Sequence, residues 1–314
     1  MEFTVNKVIS LFNIPDHKID TSNYSHCLHD DNVSTLESEI AVYVGAKHAV
    51  SLNSATSAIY LALLNKSITV KIPSMIPPVV VNAITTSGNK YDFTDNTDWV
   101  GDSYELFDFG DYKIIDSAQK LEKNQFKTEC KPDDLMIFSF YPTKPLSGFD
   151  GGMIVSDDFE KIKYFKEMSL NGMSYAENNW ERPHKYHGYK MYMNSIQAEI
   201  ILKNFSTYDK KTNKISKVRN FYNTEFNQKK TSSHLYTVDV FDRESVIKNL
   251  RSKNIYTGIH YHSLHDDPVY ALNTKGNYPE TEKKSKTTLS IPMHENISME
   301  DAKMVYQEVI KNII

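Results

Sequence analysis

Short apolar runs follow one another from residue 48 to residue 155, with turn signals and helix-length stretches between them. That alternation restricts the fold more than any other feature of the chain. Residues 48–52, 70–73, 90–93, 105–107, 112–115, 135–140 and 152–155 read as strands, and 56–64 and 79–86 as helices. The run 135–140 is apolar at nearly every position, the pattern of a strand buried on both faces. Strands of this kind alternating with helices imply a mostly parallel sheet covered on both sides.

Ahead of this region the first residues show weak periodicity and read as an irregular arm. Ser34 and Glu37 have the spacing of a capping box before the stripe Leu36, Ile40 and Val44, and Gly45 is a C-terminal stop. From residue 157 the pattern turns helical, with Asn194 and Gln197 as a second capping-box pair. Beyond residue 217 it reads strand 235–240, helix 243–250, strand 256–261, strand 287–291 and helix 299–310, a smaller α/β unit. The expected division is an arm at 1–33, a large domain at 34–210 and a small domain at 211–314.

A net charge of -4 gives no electrostatic reason to expect a nucleic-acid partner. Two cysteines, Cys27 and Cys130, lack the spacing of a metal site or a disulfide framework and fit a reducing compartment. No apolar run has the length of a membrane span, so the expected address is the cytoplasm. The run Lys283, Lys284 and Lys286 reads as a solvated loop.

Four segments carry chemistry. Ser54, Ala55, Thr56 and Ser57 stand at a helix N-terminus, where free N–H groups can hold a phosphate; in isolation they read as simple N-capping. Asp116 closes a strand, with Ala118 and Gln119 after it, at the end of the sheet where α/β proteins place ligands. Lys144 follows a buried strand on a tight loop that continues to the paired glycines Gly151 and Gly152. The fourth segment, 188–194, leads into the Asn194 cap.

Taken in order, these segments resemble the DegT/StrS family of nucleotide-sugar aminotransferases, within the aspartate-aminotransferase fold (fold type I). The stretch from Ser139 through Lys144 to Gly152 is the most specific part. Leu36 with Glu37, Gly45, Asp116-x-Ala118-Gln119, Ile259 to Tyr261, Leu264 with His265, and Leu289 to Pro292 add to it. The resemblance implies an α/β fold: a large domain with a mostly parallel seven-stranded-type sheet between helices, and a smaller C-terminal α/β domain. It also implies pyridoxal 5'-phosphate as cofactor, a homodimer, and amino transfer from L-glutamate to a keto group of a nucleotide-linked sugar.

By the same resemblance Lys144 forms the Schiff base and moves the proton, and Asp116 faces the pyridine nitrogen. Gln119 meets the ring hydroxyl region, and Thr56, Ser57 and Ser139 hold the phosphate. Tyr141, Tyr192, His260 and Tyr261 face the substrate. A nucleophilic lysine must spend time uncharged, which a desolvated site favours.

The chain also departs from the family pattern. Pro77 stands where an aromatic residue stacks on the cofactor, Asp150 replaces a glutamate, and Tyr192 replaces an arginine. Lys190 replaces the asparagine that reaches the neighbouring site, so the partner subunit's Lys190 is expected at the phosphate. The chain is short between Phe93 and Asp116, where the family carries another helix, and the sheet is expected to be trimmed there by one unit. These departures keep three other readings open: a non-sugar keto acceptor, a non-catalytic protein, and a sugar dehydratase, in whose relatives histidine replaces the lysine.

Overall fold

The computed structural model describes residues 7–19, 24, 30–174, 183–271 and 276–313. Cys27 and most of the arm segment 20–29 lie outside the described residues. The first helix, α1 (Asp31–Val44), ends on Gly45, whose φ of 82° lets its N–H reach back to the carbonyls of Ala41 and Val42. Ser34 and Glu37 do not form the expected capping box, because the helix begins earlier, after Asp30. Glu37 instead turns inward. Its Oε1 accepts from Ser51 N at 2.9 Å and Ser51 Oγ at 3.0 Å, and its Oε2 accepts from Lys166 Nζ at 2.8 Å.

Then come β1 (His48–Leu52), α2 (Ala55–Leu63), β2 (Thr69–Pro73), α3 (Pro78–Thr86) and β3 (Lys90–Thr94). β4 (Tyr104–Asp108), β5 (Lys113–Asp116), α4 (Gln125–Glu129), β6 (Leu135–Ser139) and β7 (Gly152–Ser156) complete this part. The main sheet has the order β1-β7-β6-β5-β4, and β2 and β3 form a separate parallel pair beside β4. The α/β class holds, and the sheet is mixed: β5 and β6 run parallel, while β1·β7, β6·β7 and β4·β5 are antiparallel.

The antiparallel β4·β5 pair follows from chain length. Asp108 and Lys113 are too close in sequence for the crossover of a dozen or more residues that parallel strands need, so the chain returns as a hairpin. No helix lies between β3 and β5, which is where the trimmed unit was expected.

The two-faced burial read from residues 135–140 is realised residue by residue. Leu135 and Ile137 pack on one side of the sheet with Val50, Ile59, Ile72 and Ile84. Met136 and Phe138 pack on the other with Leu36, Ile40, Val44 and Met153. Fully burying a side chain such as Phe138 contributes about 1.5–3 kcal/mol, which is why such a strand tolerates no polar face.

The chain continues through α5 (Phe159–Ser169), α6 (Ser195–Phe205) and α7 (Tyr208–Glu225). α6 carries the expected box: Gln197 N donates to Asn194 Oδ1 at 3.0 Å and Asn194 N donates to Gln197 Oε1 at 3.3 Å. α7 ties two cores together. Its Tyr208 packs against Phe138 and Phe140 and donates to Leu121 O, whereas Ile215, Val218 and Tyr222 enter a separate C-terminal core. That core gathers β8 (Tyr236–Asp239), α8 (Arg243–Ser252), β9 (Thr288–Ile291) and α10 (Met299–Val309), with β8 antiparallel to β9. Ile9 of the arm is buried in it as well.

Two expectations fail here. Residues 256–261 are not a strand; Tyr256 N donates to Ile9 O, and Gly258 pairs with Ser290. The lysine run is not a loop but belongs to α9 (Pro279–Thr287), a polar helix that buries only Thr281. Among the described residues no helix is long and apolar enough to cross a membrane.

Candidate active site

β1, β5 and β6 run in the same direction, so their carboxyl ends share one edge of the sheet. A cavity of about 510 Å³ opens at that edge, the position at which open α/β sheets bind ligands. Phe12 of the arm and His234, His260 and Tyr261 of the C-terminal part close it from the other side.

Lys144 reaches the cavity from a turn in which its N–H donates to Tyr141 O at 2.8 Å. Its Nζ lies 3.5 Å from His234 Nε2. Burial lowers the lysine to about 8, against an opposing pull from the charge of Asp116. Burial also takes His234 well below its usual range and His260 to about 4, in each case with help from the nearby Lys144 charge. Both imidazoles are therefore neutral at pH 7 and act as neutral hydrogen-bonding groups beside the lysine.

Asp116 ends β5 and is buried. Its Oδ1 accepts from Ala118 N at 2.9 Å and its Oδ2 from Tyr104 Oη at 2.8 Å. Burial raises its pKa, while these two hydrogen bonds and the charge on Lys144 pull the other way. A carboxylate held so has the geometry to face a cation in the cavity.

The N-terminus of α2 opens on the same space through Ser54, Ala55 and Thr56. Ser54 is the cap, accepting from Ser57 N at 3.1 Å, and Ser57 Oγ donates to Asn53 Oδ1 at 2.7 Å. The capping role and an anion-binding role can coexist here, since the cap engages Ser57 N and leaves the N–H groups of Ala55 and Thr56 at the helix start for an anion. Gly152 makes the approach possible: a Cβ there would lie 2.4 Å from Ala55 N. That is the physical reason for a glycine at this place in the loop-to-strand junction.

Thr56, Pro77, Asp116, Gln119, Ser139, Tyr141, Lys144, His260 and Tyr261 all line the cavity. Ser57 does not. Lys190 and Tyr192 do not line it either; they bridge to Leu170 and Leu52, and Lys190 is exposed on this chain. Gln119 joins two neighbours, accepting from Gly101 N at 2.7 Å and donating to Tyr261 Oη at 2.9 Å. Five residues at the cavity carried no signal in the sequence: Phe12, Trp99, Asp102, Tyr104 and His234. Each arrives by tertiary packing from outside the motif segments.

These residues fit pyridoxal phosphate in kind: an amine of lowered pKa, a buried carboxylate, a helix N-terminus for a phosphate, and flat walls at Pro77 and Ala118.

Comparison with known proteins points the same way. The sequence model of the DegT/DnrJ/EryC1/StrS aminotransferase family matches residues 19–98 and 113–310. A UDP-4-amino-4,6-dideoxy-N-acetyl-beta-L-altrosamine transaminase of Campylobacter jejuni is 27% identical over 329 residues, covering 87% of each chain. Among solved structures, the aminotransferase TlmJ from Streptoalloteichus hindustanus superposes with a TM-score of 0.77 at 18% identity, covering 96% of this chain and 98% of its own. Helicobacter pylori PseC, an aminotransferase involved in the biosynthesis of pseudoaminic acid, superposes with a TM-score of 0.74 at 18% identity, covering 90% and 91%.

Proposed function

From its place in the DegT/DnrJ/EryC1/StrS aminotransferase family, to which the chain belongs, we propose that it moves an amino group from L-glutamate to a keto group of a nucleotide-linked sugar. The cofactor in this reading is pyridoxal phosphate, carried on Lys144, and the enzyme works as a cytoplasmic homodimer. One observation carries it: Lys144, Asp116 and the N-terminus of α2 all face one cavity at the carboxyl edge of the sheet. The Campylobacter relative, named as a transaminase of a UDP-linked amino sugar, supports the substrate class.

When bound, pyridoxal phosphate supplies an electron sink for negative charge at the carbon that gains or loses the amine. The chain's own residues do the rest. Asp116 holds a proton on the ring nitrogen by offering it a buried negative partner. Lys144 would hold the cofactor covalently, and its Nζ, when free, would carry a proton to or from the reacting carbon. His234, neutral beside it, adds no cation that would raise the cost of protonating Nζ. The N–H groups of α2 with Thr56 and Ser139 would hold the phosphate, and Pro77 would flank the ring. Tyr141, Tyr192, His260 and Tyr261 serve the sugar in this reading, and the partner subunit's Lys190 reaches the phosphate across the dimer. The cofactor-binding part is residues 34–210 and the smaller part 211–314, after an arm at 1–33.

The test is direct. Purified protein given pyridoxal phosphate should show the absorption band of lysine-linked cofactor, Lys144→Ala should abolish it, and glutamate should convert it to the amine form. A panel of nucleotide-linked keto sugars with glutamate, read by mass spectrometry, then identifies the acceptor. Absence of the band at saturating cofactor overturns the reading; a glutamate half-reaction with no sugar aminated overturns the acceptor alone.

A further inference from the structure

Residues 99–112 are the stretch that the family model passes over, since its match stops at 98 and resumes at 113. In this chain the stretch is not an idle connection. It supplies β4, and the register sets Tyr104 directly across from Asp116. Cross-strand partners in an antiparallel pair project to the same face, so the phenol and the carboxylate meet over the cavity. Tyr104 Oη donates to Asp116 Oδ2 at 2.8 Å, while Ala118 N donates to Oδ1 at 2.9 Å. Each carboxylate oxygen thus has one fixed donor, and the plane of the group is set.

The phenol is itself held. Its ring stands edge-on to Trp99 with centroids 5.0 Å apart, and Trp99 stacks on Tyr261 at 5.8 Å with planes 4° apart. Gly101 N donates to Gln119 Oε1, fastening the same segment to the loop after Asp116. Burial and the neighbouring carboxylate keep the Tyr104 phenol protonated, so it is always the donor.

We infer that Tyr104 is a positioning residue for Asp116: the hairpin donates a hydroxyl that keeps the Asp116 carboxylate ionised and aimed at the ring nitrogen of the cofactor. The inference rests on the pyridoxal-phosphate reading above. A hydrogen bond to a charged acceptor favours the charged form, and burial opposes that form at Asp116. Without Tyr104, the carboxylate loses both a fixed direction and part of what keeps its proton off.

The experiment compares two ligands on the full-length protein: pyridoxal phosphate, and its analogue with the ring nitrogen replaced by C–H. Tyr104→Phe removes the hydroxyl alone. It should weaken pyridoxal phosphate roughly tenfold and leave the carbon analogue within about twofold, because only the natural ring offers Asp116 a partner. In an Asp116→Asn background the same substitution should change neither ligand, which separates an effect routed through Asp116 from a general loosening. Equal weakening of both ligands, no weakening of either, or an undiminished effect in the Asp116→Asn background overturns the role of Tyr104. If the unaltered protein shows no Lys144-dependent uptake of pyridoxal phosphate, the proposed function itself fails and takes this inference with it.

Discussion

Lys144 Nζ and His234 Nε2 stand 3.5 Å apart, two basic groups that both lose basicity by being packed away from water. Lys144 is lowered to about 8, so a useful fraction of the free amine exists near neutrality. The rate of covalent uptake of pyridoxal phosphate should climb about tenfold between roughly pH 7 and 9 and level off above that. A lysine with its ordinary pKa would instead gain roughly a hundredfold over the same interval, still rising at the top. Stopped-flow absorbance across the range distinguishes the two curves.

Phe12 stacks on His234 at 5.5 Å and meets His260 edge-on at 5.8 Å. Phe12→Ala should admit water to the histidines and to Lys144. Desolvation is what lowers the lysine, so its pKa should move up toward the ordinary value. The uptake curve then shifts to higher pH; an unmoved midpoint would show that the aromatic lid contributes nothing to the lysine.

Glu37→Ala should cost about 3 kcal/mol of stability in chemical denaturation, because it strands the N–H of Ser51 inside the protein and removes a buried partner of Lys166. Glu37→Gln keeps an acceptor for Ser51 and should cost clearly less. Equal losses would assign the effect to the charge and not to the hydrogen bonds.

Gly152→Ala tests the closeness of β7 to α2. The added methyl meets the backbone of Ser54 and Ala55, which has no flexible end to swing away. A destabilisation of about 3 kcal/mol is expected in thermal or chemical denaturation of the cofactor-free protein. A fully stable variant would mean that this junction is slack.

What was legible in the sequence was local. β1 and β6 declare themselves by apolar content, and α6 by a cap whose two partners lie three residues apart. Lys144 and Asp116 were found through a motif, not through periodicity, and both reach the same cavity. The misreadings have the converse cause. Glu37 is at the right spacing for a cap, but its partner Ser51 is on another element. α9 has almost no apolar stripe, so helical periodicity had nothing to mark. Residues 256–261 read as a strand, yet their backbone pairs in two directions, Tyr256 N with Ile9 O and Gly258 with Ser290, and the side chains His260 and Tyr261 serve the cavity. Tyr104 and His234 matter only for what they touch across the fold, and no spacing along the chain encodes that.

The β4·β5 hairpin also reverses which end of a strand serves the site. Had β4 been parallel to β5, its last residue would have stood at the cavity and its first at the distant edge. Running the other way, it delivers Tyr104, its opening residue, and carries its turn to the far side of the sheet, where Gly110 has a φ of 90° and open space around it. The two ends of this short segment thus serve different purposes: its entrance is tied to the chemistry, while Gly110 and Asp111 at its exposed tip, between the packed rings of Phe109 and Tyr112, are the place to lengthen, label or fuse a reporter.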